Sequence, residues 1–411
     1  MRYSSPLGTV ALAASLLLTF PPRLSAQILY WAGTAGTVAT AGSGTWDSNT
    51  STTWRDNSPT GTLVKWTQNR TAMFAGSAGG SIAIGDVITA DALQIQSTAG
   101  PFTLNASSLL TIGGAGISNQ STALQTLNNN LGILTFTGNA SAASGSQASR
   151  VRIVNNGQLI FEGTSTAGGS GLTNASDLLF SENSSAGSAS ITSTGQVSFA
   201  GQSNVATATI INNSLLTFDE DASSGAATIT NHAQLNFSGN ARNFAAASII
   251  NNAGSALDLS ASTATAGVTL GSLSNAADAT LNLGTSRLIV ASMSLLDGNA
   301  ISFNLSPSGT GLIEITGSLF GNATASGTSI SINDAGGLSV GRTVTLLDWT
   351  SAATVIDVQQ SDFSLQPLPG GAQGSLRVQG KTLFLDVVPE PGTALLALFG
   401  ALPLAVLRRR R

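Results

Sequence analysis

A phenylalanine recurs every 19 residues through the middle of this 411-residue chain, and this period constrains the fold more than any other feature. The positions are Phe161, Phe180, Phe199, Phe218 and Phe237. An aliphatic residue lies two positions before each phenylalanine and another lies eight before, while Asn or Ser lies six before. A fixed period near 20 residues is typical of a solenoid, in which each repeat stacks on its neighbours.

Within each repeat apolar residues alternate with polar ones, as in Leu159 and Phe161, which is typical of a strand with one face inward. Turn-forming residues separate the two apolar segments and include the column Asn155, Asn174, Ser193, Asn212 and Asn231. The Gly- and Ser-rich stretch after each phenylalanine contains small residues at Gly168, Gly187, Ala206 and Gly225. Each repeat is therefore predicted to form strand, turn, strand and loop.

The fold class predicted from this pattern is all-β, a parallel β-helix solenoid with coils of 19 to 20 residues. A leucine-rich repeat has a similar length, but its Leu-x-x-Leu-x-Leu pattern is missing, and helical repeats need about 33 or more residues. Because coils stack at about 4.8 Å, we expect an internal phenylalanine stack and a hydrogen-bonded asparagine ladder at the turn. Looser alternation extends the coils over residues 76–342, on the order of 13 coils.

Four of the five tryptophans lie near the start of the predicted rod, at Trp31, Trp46, Trp54 and Trp66. Their faces could form a sugar-binding platform, or they could bury a large area over the first coil. We favour the second interpretation and assign residues 27–75 to an N-terminal cap. Alternating residues in 343–386 are assigned to C-terminal cap strands, because an exposed coil edge promotes end-to-end association.

The chain begins with the layout of a secretory signal peptide, residues 1–26. Arg2 precedes an apolar stretch from Leu7 to Phe20 that is predicted to be helical. The small residue Ala26 precedes Gln27 at the expected cleavage point. A buried N-terminal helix is the alternative interpretation.

The last segment, residues 387–411, contains a Pro-Glu-Pro motif, an apolar run of 15 residues and a basic end, in that order. The run spans roughly 22 Å as a helix, which is shorter than the hydrocarbon core of about 30 Å. It therefore predicts a short transmembrane helix that holds the protein in the membrane only transiently. The terminal cations, which would keep this end in the cytoplasm, are Arg408, Arg409, Arg410 and Arg411. A buried C-terminal helix is less favoured because adjacent arginines need water.

This arrangement resembles the PEP-CTERM sorting signal of Gram-negative bacteria that make exopolysaccharide, and Pro389, Glu390 and Pro391 match its motif residue by residue. The resemblance implies export, transient insertion in the inner membrane and removal of the tail by the membrane protease exosortase. The final location that it implies is the cell surface or the extracellular matrix. The repeats, and Thr53-Trp54 near the start, resemble the autotransporter-associated β-strand repeat passengers often found with such tails.

Composition excludes several function classes. Without residues 1–26 and the four terminal arginines the chain has 10 basic and 20 acidic side chains, so no nucleic-acid partner is expected. Because the chain has no cysteine, disulfides and thiolate metal sites are excluded. The single histidine, His232, excludes a multi-His metal site and is predicted to lie at an exposed turn.

The acidic residues are the remaining candidates for chemistry. Asp219-Glu220-Asp221 is the densest cluster, interpreted as a solvated loop, with a calcium site as the alternative. Glu182 and Glu220 share a column two coils apart, about 10 Å, which is near the separation of glycosidase carboxylates. Nothing else in the pattern converges on them. We therefore predict no catalytic, cofactor-binding or metal-binding residue and no cofactor.

These features predict a non-enzymatic, exported β-helical protein with a structural or adhesive role in an exopolysaccharide or biofilm matrix. Its expected partners are exosortase, which processes the tail, and exopolysaccharide or neighbouring cell surfaces. The alternative from another class is a secreted carbohydrate-active enzyme, either a polysaccharide lyase or a glycosidase. A third possibility is a filament-forming subunit.

Overall fold

The structure is a computed structural model that describes residues 27–33, 42–296, 298–321 and 327–388. These residues are nearly all-β, with 55% strand and 3% helix, and form a β-solenoid of about 11 turns. The prediction of an all-β solenoid is therefore confirmed. The two terminal segments predicted to be helical, 1–26 and 393–407, lie outside the described residues. Within those ranges, no helix has the length and apolarity needed to cross a membrane.

The first five strands form the N-terminal end of the solenoid. They are β1 (Ile28–Trp31), β2 (Gly44–Trp46), β3 (Trp54–Asp56), β4 (Leu63–Val64) and β5 (Arg70–Phe74). β1 pairs antiparallel with β3 on one side and parallel with β5 on the other. The change from antiparallel to parallel pairing therefore occurs at β1, where the coil stack begins.

The coils are built from the next 26 strands. Those of the first half are β6 (Gly80–Ile84), β7 (Ile88–Ile95), β8 (Phe102–Ala106), β9 (Leu109–Asn119), β10 (Gln125–Asn129), β11 (Ile133–Phe136), β12 (Ser141–Ser144), β13 (Val151–Asn155), β14 (Gln158–Phe161), β15 (Gly171–Asn174), β16 (Asp177–Phe180), β17 (Ser190–Ser193) and β18 (Gln196–Phe199). Those of the second half are β19 (Thr209–Asn212), β20 (Leu215–Phe218), β21 (Thr228–Asn231), β22 (Gln234–Gly239), β23 (Phe244–Asn251), β24 (Ala256–Ser262), β25 (Val268–Asn275), β26 (Thr280–Gly284), β27 (Arg287–Leu295), β28 (Ala300–Ser306), β29 (Gly309–Thr310), β30 (Leu312–Phe320) and β31 (Thr328–Asp334). Alternate strands belong to two sheets along most of the rod, which we call sheet A (containing β14) and sheet B (containing β13).

The middle coils, from β13 to β22, stack in a constant register. In sheet B, Ile153 pairs with Leu172 and Ile191 pairs with Ile210, in each case one full repeat period further along the chain. The predicted loop of each coil contains a third, very short side, in which single parallel bridges join Thr166, Ser185, Asn204 and Ser223. Each middle coil therefore has three sides, two of them strands.

The outer coils are longer than the middle ones. Gly80 pairs with Phe102 and Gln125 pairs with Val151, and both spacings along the chain exceed the period of the middle coils. The additional residues extend strands around the third side, as in β9, which bends at Gly114 and Gly116 and pairs with both β11 and β12. The same stretch of chain therefore makes about 11 turns rather than the 13 expected at about 20 residues per coil.

The predicted aromatic and amide columns both lie inside the rod. Ring centroids of Phe161, Phe180 and Phe199 are 4.7 and 4.6 Å apart with nearly parallel planes, and every phenylalanine of the column is fully buried. The Asn155 side chain donates to Asn174 Oδ1 at 2.7 Å, and Asn212 donates to Asn231 in the same way. The predicted stack and ladder are confirmed.

Small residues are required where the backbone turns closely against the preceding coil. Gly168 has φ +61°, and a Cβ at this position would lie 2.1 Å from the carbonyl oxygen of Ala143. Gly187 has φ +63° and meets Gly168 O at 2.9 Å in the same way. The conformation is in the left-handed region that glycine adopts without steric cost.

The last five strands close the C-terminal end. They are β32 (Thr343–Asp348), β33 (Thr354–Ile356), β34 (Phe363–Leu365), β35 (Gln373–Val378) and β36 (Thr382–Val388), and short 3-10 helices lie at Ala148–Arg150, Gln360–Asp362 and Pro369–Gly371. β34 still stacks in parallel on β31, whereas β36 pairs antiparallel with both β32 and β35. The Gln360 side-chain amide donates to Leu376 O at 3.2 Å and accepts from Val378 N at 3.4 Å, so it occupies part of the outer edge of β35.

Candidate functional site

The four N-terminal tryptophans form a buried cluster. Trp31, Trp46, Trp54 and Trp66 are each 0% exposed. Trp46 lies 4.9 Å from Trp54 and 4.7 Å from Trp66 between ring centroids, in edge-to-face contacts. Because they are fully buried against one another, their faces are not available to stack on a sugar. This burial agrees with the cap interpretation and not with a sugar platform, and the assignment of residues 27–75 to a cap stays a prediction.

The two glutamates of the candidate carboxylate pair each bond to a turn of the preceding coil. Glu182 and Glu220 are exposed and have φ of +54° and +53°, a conformation uncommon for residues other than glycine. The Glu182 carboxylate accepts a hydrogen bond from Gly163 N at 2.9 Å, and the Glu220 carboxylate accepts one from Gly201 N at 2.6 Å. Each carboxylate thus reaches the preceding coil and bonds a different glycine.

The neighbouring acids and the histidine make local contacts. Asp219 Oδ1 accepts from the backbone N of Glu220 at 2.8 Å, and Asp221 accepts from the Asn240 side chain. His232 is exposed at its turn, as predicted, with Nδ1 3.3 Å from Asn252 Nδ2. Across the described ranges, no group of three or more His, Cys, Asp or Glu side chains is placed to hold a metal ion.

Two carboxylates with a lowered pKa lie near the C-terminal end of the rod. The hydrogen bond from Arg377, and a second from the Thr343 hydroxyl, lower the pKa of Asp386. Asp334 Oδ1 accepts from the backbone N of three successive residues, at 3.0 Å from Leu338, and these bonds lower its pKa. Asp334 holds the turn after β31, and Asp386 joins strands of the C-terminal cap.

An outward column of hydroxyl side chains runs along sheet B over eight consecutive coils. We call it the hydroxyl ladder; its members are Ser190, Thr209, Thr228, Ser248, Ser272, Ser292, Ser318 and Thr354. Each member pairs in register with the next, and Ser272 donates to Ser248 at 2.9 Å. At about 4.8 Å per coil the ladder is about 34 Å long. It presents an uncharged surface of repeated hydroxyl groups.

A polar groove opens on the first coils, where β7 and β9 continue past their bends. This groove, which we call the glutamine groove, has a volume of about 320 Å³ and is lined by Met73, Gln94, Ile95, Gln96, Ser118 and Gln120. Gln94 and Ser118 are neighbours in the parallel register of the two strands. The repeat pattern does not predict this site, because Gln94 and Ser118, like Gln96 and Gln120, are spaced more widely than the period of the middle coils. A sequence signal for the groove does exist: the polar pair Gln94 and Gln96 is repeated by Ser118 and Gln120 at this longer spacing.

Of the two residues at the predicted leader cleavage point, only Gln27 lies in the described ranges. Its backbone oxygen accepts from Thr71 N at 3.1 Å, and its side chain donates to Asp56. The predicted sorting residues Pro389, Glu390, Pro391 and Arg408 to Arg411 lie outside those ranges. No protein-family model and no curated protein matches this chain.

Proposed function

We propose that this protein is an exported, non-enzymatic component of the cell surface or matrix, which presents its solenoid for adhesive contact with exopolysaccharide or neighbouring cells. The observation that carries the proposal is the hydroxyl ladder. Groups repeated in register give many equivalent weak contacts to a repetitive polymer, and such contacts strengthen one another when they act on the same chain. A carbohydrate polymer offers hydroxyl groups that donate and accept in the same way.

The route is part of the same proposal. The signal peptide directs export, the short C-terminal helix with its arginines holds the protein at the inner membrane, and exosortase removes the tail at the Pro-Glu-Pro motif. This part rests on the sequence of residues 387–411 and its resemblance to the PEP-CTERM signal. The solenoid is the part of the protein that this route would export, because an adhesive surface acts only outside the cell.

Binding and turnover should be measured together on residues 27–388, which keep β36 intact. We expect co-sedimentation with one or more insoluble polysaccharides and no release of new reducing ends or unsaturated products. Turnover that is abolished by Glu182→Gln or Glu220→Gln would favour the glycosidase instead. Failure to bind any polysaccharide or cell surface, together with concentration-dependent sedimentation of the protein alone, would favour a filament subunit.

The route is tested by co-expression with an exosortase. We expect the unaltered chain to lose its tail, as seen by mass spectrometry. The triple variant Pro389→Ala, Glu390→Ala, Pro391→Ala is expected to keep the tail in the membrane fraction. Equal processing of both proteins, or processing in cells that lack exosortase, would contradict the proposed route.

A further inference from the structure

The amide side chains of the glutamine groove differ from many outward amides on the same coils, because they have no hydrogen-bond partner among the residues that the structure describes. On sheet B, Asn128 donates to Asn105 at 2.8 Å, and Asn105 donates to Ser81 at 3.1 Å. Within the described ranges, the side chains of Gln94, Gln96, Ser118 and Gln120 make no such bond. Their donors and acceptors remain available to a ligand in the groove.

We propose that the glutamine groove binds a segment of a neutral glycan. This inference rests on the proposed adhesive function and assigns that function to a specific site. Each glutamine offers two N–H donors and a carbonyl acceptor, and the Ser118 hydroxyl both donates and accepts. Sugar hydroxyls likewise donate and accept, so this set matches them in either direction. None of the six lining residues is charged, which favours a ligand without carboxylate, phosphate or ammonium groups.

The apolar side and the size of the groove fit the same ligand class. Met73 is 7% exposed and lies beside Gln94 in the register of β5 and β7, so it provides an apolar surface at one side of the groove. A pyranose ring has an apolar C–H face and a polar hydroxyl edge, so its face can contact Met73 while its edge meets the amides. A volume of about 320 Å³ lies at the lower end of small-molecule sites, about 300–1,000 Å³.

The groove is also repetitive along the rod axis. Gln94 and Ser118 occupy one column of adjacent coils, while Gln96 and Gln120 lie immediately after the ends of β7 and β9. The two members of each pair are therefore separated by about 4.8 Å along the rod axis. An oligosaccharide running along the axis can place one unit on Gln94 and Gln96 and the next unit on Ser118 and Gln120, which favours it over a single sugar.

The test measures binding of the purified full-length protein to neutral and uronate-containing oligosaccharides by isothermal titration calorimetry. The groove variant is Gln94→Ala with Gln120→Ala. The matched control is Gln158→Ala with Gln234→Ala, which removes two exposed glutamines from the outer face of sheet A in the middle coils. We expect binding of a neutral oligosaccharide, weakened about tenfold or more in the groove variant and unchanged in the control.

Each of the other possible outcomes contradicts a different part of the proposal. Equal binding by the groove variant and the unaltered protein overturns the groove assignment and leaves the adhesive function in place. Binding of uronate-containing chains alone, or displacement of the glycan by an unrelated peptide, overturns the neutral-glycan assignment. Absence of binding to every polysaccharide and cell surface overturns both proposals. If the double variant does not fold, the single variant Gln120→Ala, at an exposed position, must still weaken binding.

Discussion

At the scale of single residues, the internal asparagines form a directional hydrogen-bond series. Asn155 Nδ2 donates both to Asn174 Oδ1 and to the Asp177 carbonyl oxygen of the next coil, at 2.7 and 2.9 Å. Ser193 interrupts this series, because it accepts from Asn174 but gives its single proton to Gly195 O at 2.9 Å. Asn212 therefore receives no hydrogen bond from the Ser193 side chain.

Ser193→Asn is expected to stabilise the protein by completing the ladder. The adjacent coils hold asparagine in the same backbone register, so the larger side chain fits the space that its neighbours occupy. One additional buried hydrogen bond should raise the free energy of unfolding by about 0.5–1.5 kcal/mol, measured by urea denaturation. The control Ser198→Asn on the outer face should have little effect, and a loss of stability in Ser193→Asn would contradict the expectation.

A second internal column has the opposite character. Ser165, Ser184 and Ser203 are fully buried, and their hydroxyls have no hydrogen-bond partner among the described residues. The same column continues as Ala222 and Ala241. A buried hydroxyl without a partner costs free energy that alanine does not.

Ser184→Ala is therefore expected to stabilise the protein by about 1 kcal/mol. Ser170→Ala is the matched comparison, since Ser170 is also buried but donates to Ala167 O at 2.9 Å. That variant should lose stability by a similar amount. Chemical denaturation of the two variants side by side distinguishes them, and a loss of stability in both would show that the Ser184 hydroxyl is satisfied.

At the scale of strands, the C-terminal cap depends on a charged contact more than the coils do. Arg377 on β35 binds Asp386 on β36 at 2.8 Å, and Asp386 also accepts from Thr343 on β32 at 2.6 Å. One carboxylate thus joins all three antiparallel strands. The coils also hold an ion pair, between Arg287 on β27 and Glu314 on β30, but most of their contacts are backbone pairing and apolar packing.

Acid should weaken this cap. Because the pKa of Asp386 is lower in the folded protein than in the unfolded chain, its contribution is present at neutral pH and is lost as pH falls below about 4. We expect Asp386→Asn to have a lower melting temperature at pH 7 than the unaltered protein. Between pH 7 and pH 3 the melting temperature of the variant should decrease less than that of the unaltered protein. Equal decreases for both proteins between these pH values would contradict this assignment.

Strands were predictable from the sequence where the period is constant and not where it changes. In the middle coils the spacing of Phe161, Phe180 and Asn174 determines which residues face inward, and the structure follows it. In the first coils, bends at positions such as Gly114 and Gly116 allow one strand to cover two sides, so coil length varies without a local signal. The glutamine groove lies in those coils, because only the longer strands provide its surface.

At the scale of the whole molecule, one coil is a removable unit. Deletion of residues 190–208 joins Ala189 to Thr209, removes one complete 19-residue period and places Asn174 next to Asn212 in the ladder. We expect a folded protein, shorter by about 4.8 Å in small-angle scattering, with an unchanged β-sheet circular dichroism spectrum. Deletion of residues 190–207 is the control, since a shift of one residue turns inward side chains outward and should prevent folding. Normal folding of both would contradict the strict register.

The stacking order also has a mechanical consequence. β1 lies between β3 and β5 near the start of the stack and β36 lies between β32 and β35 near its end, so tension applied through the two ends of the chain acts along the rod axis. Because each coil is bonded only to its neighbours, such tension peels coils from the ends one after another. Each released coil of 19 residues replaces about 4.8 Å of folded height with about 65 Å of extended chain. We therefore expect a rod loaded through its two ends to lengthen stepwise, one coil at a time.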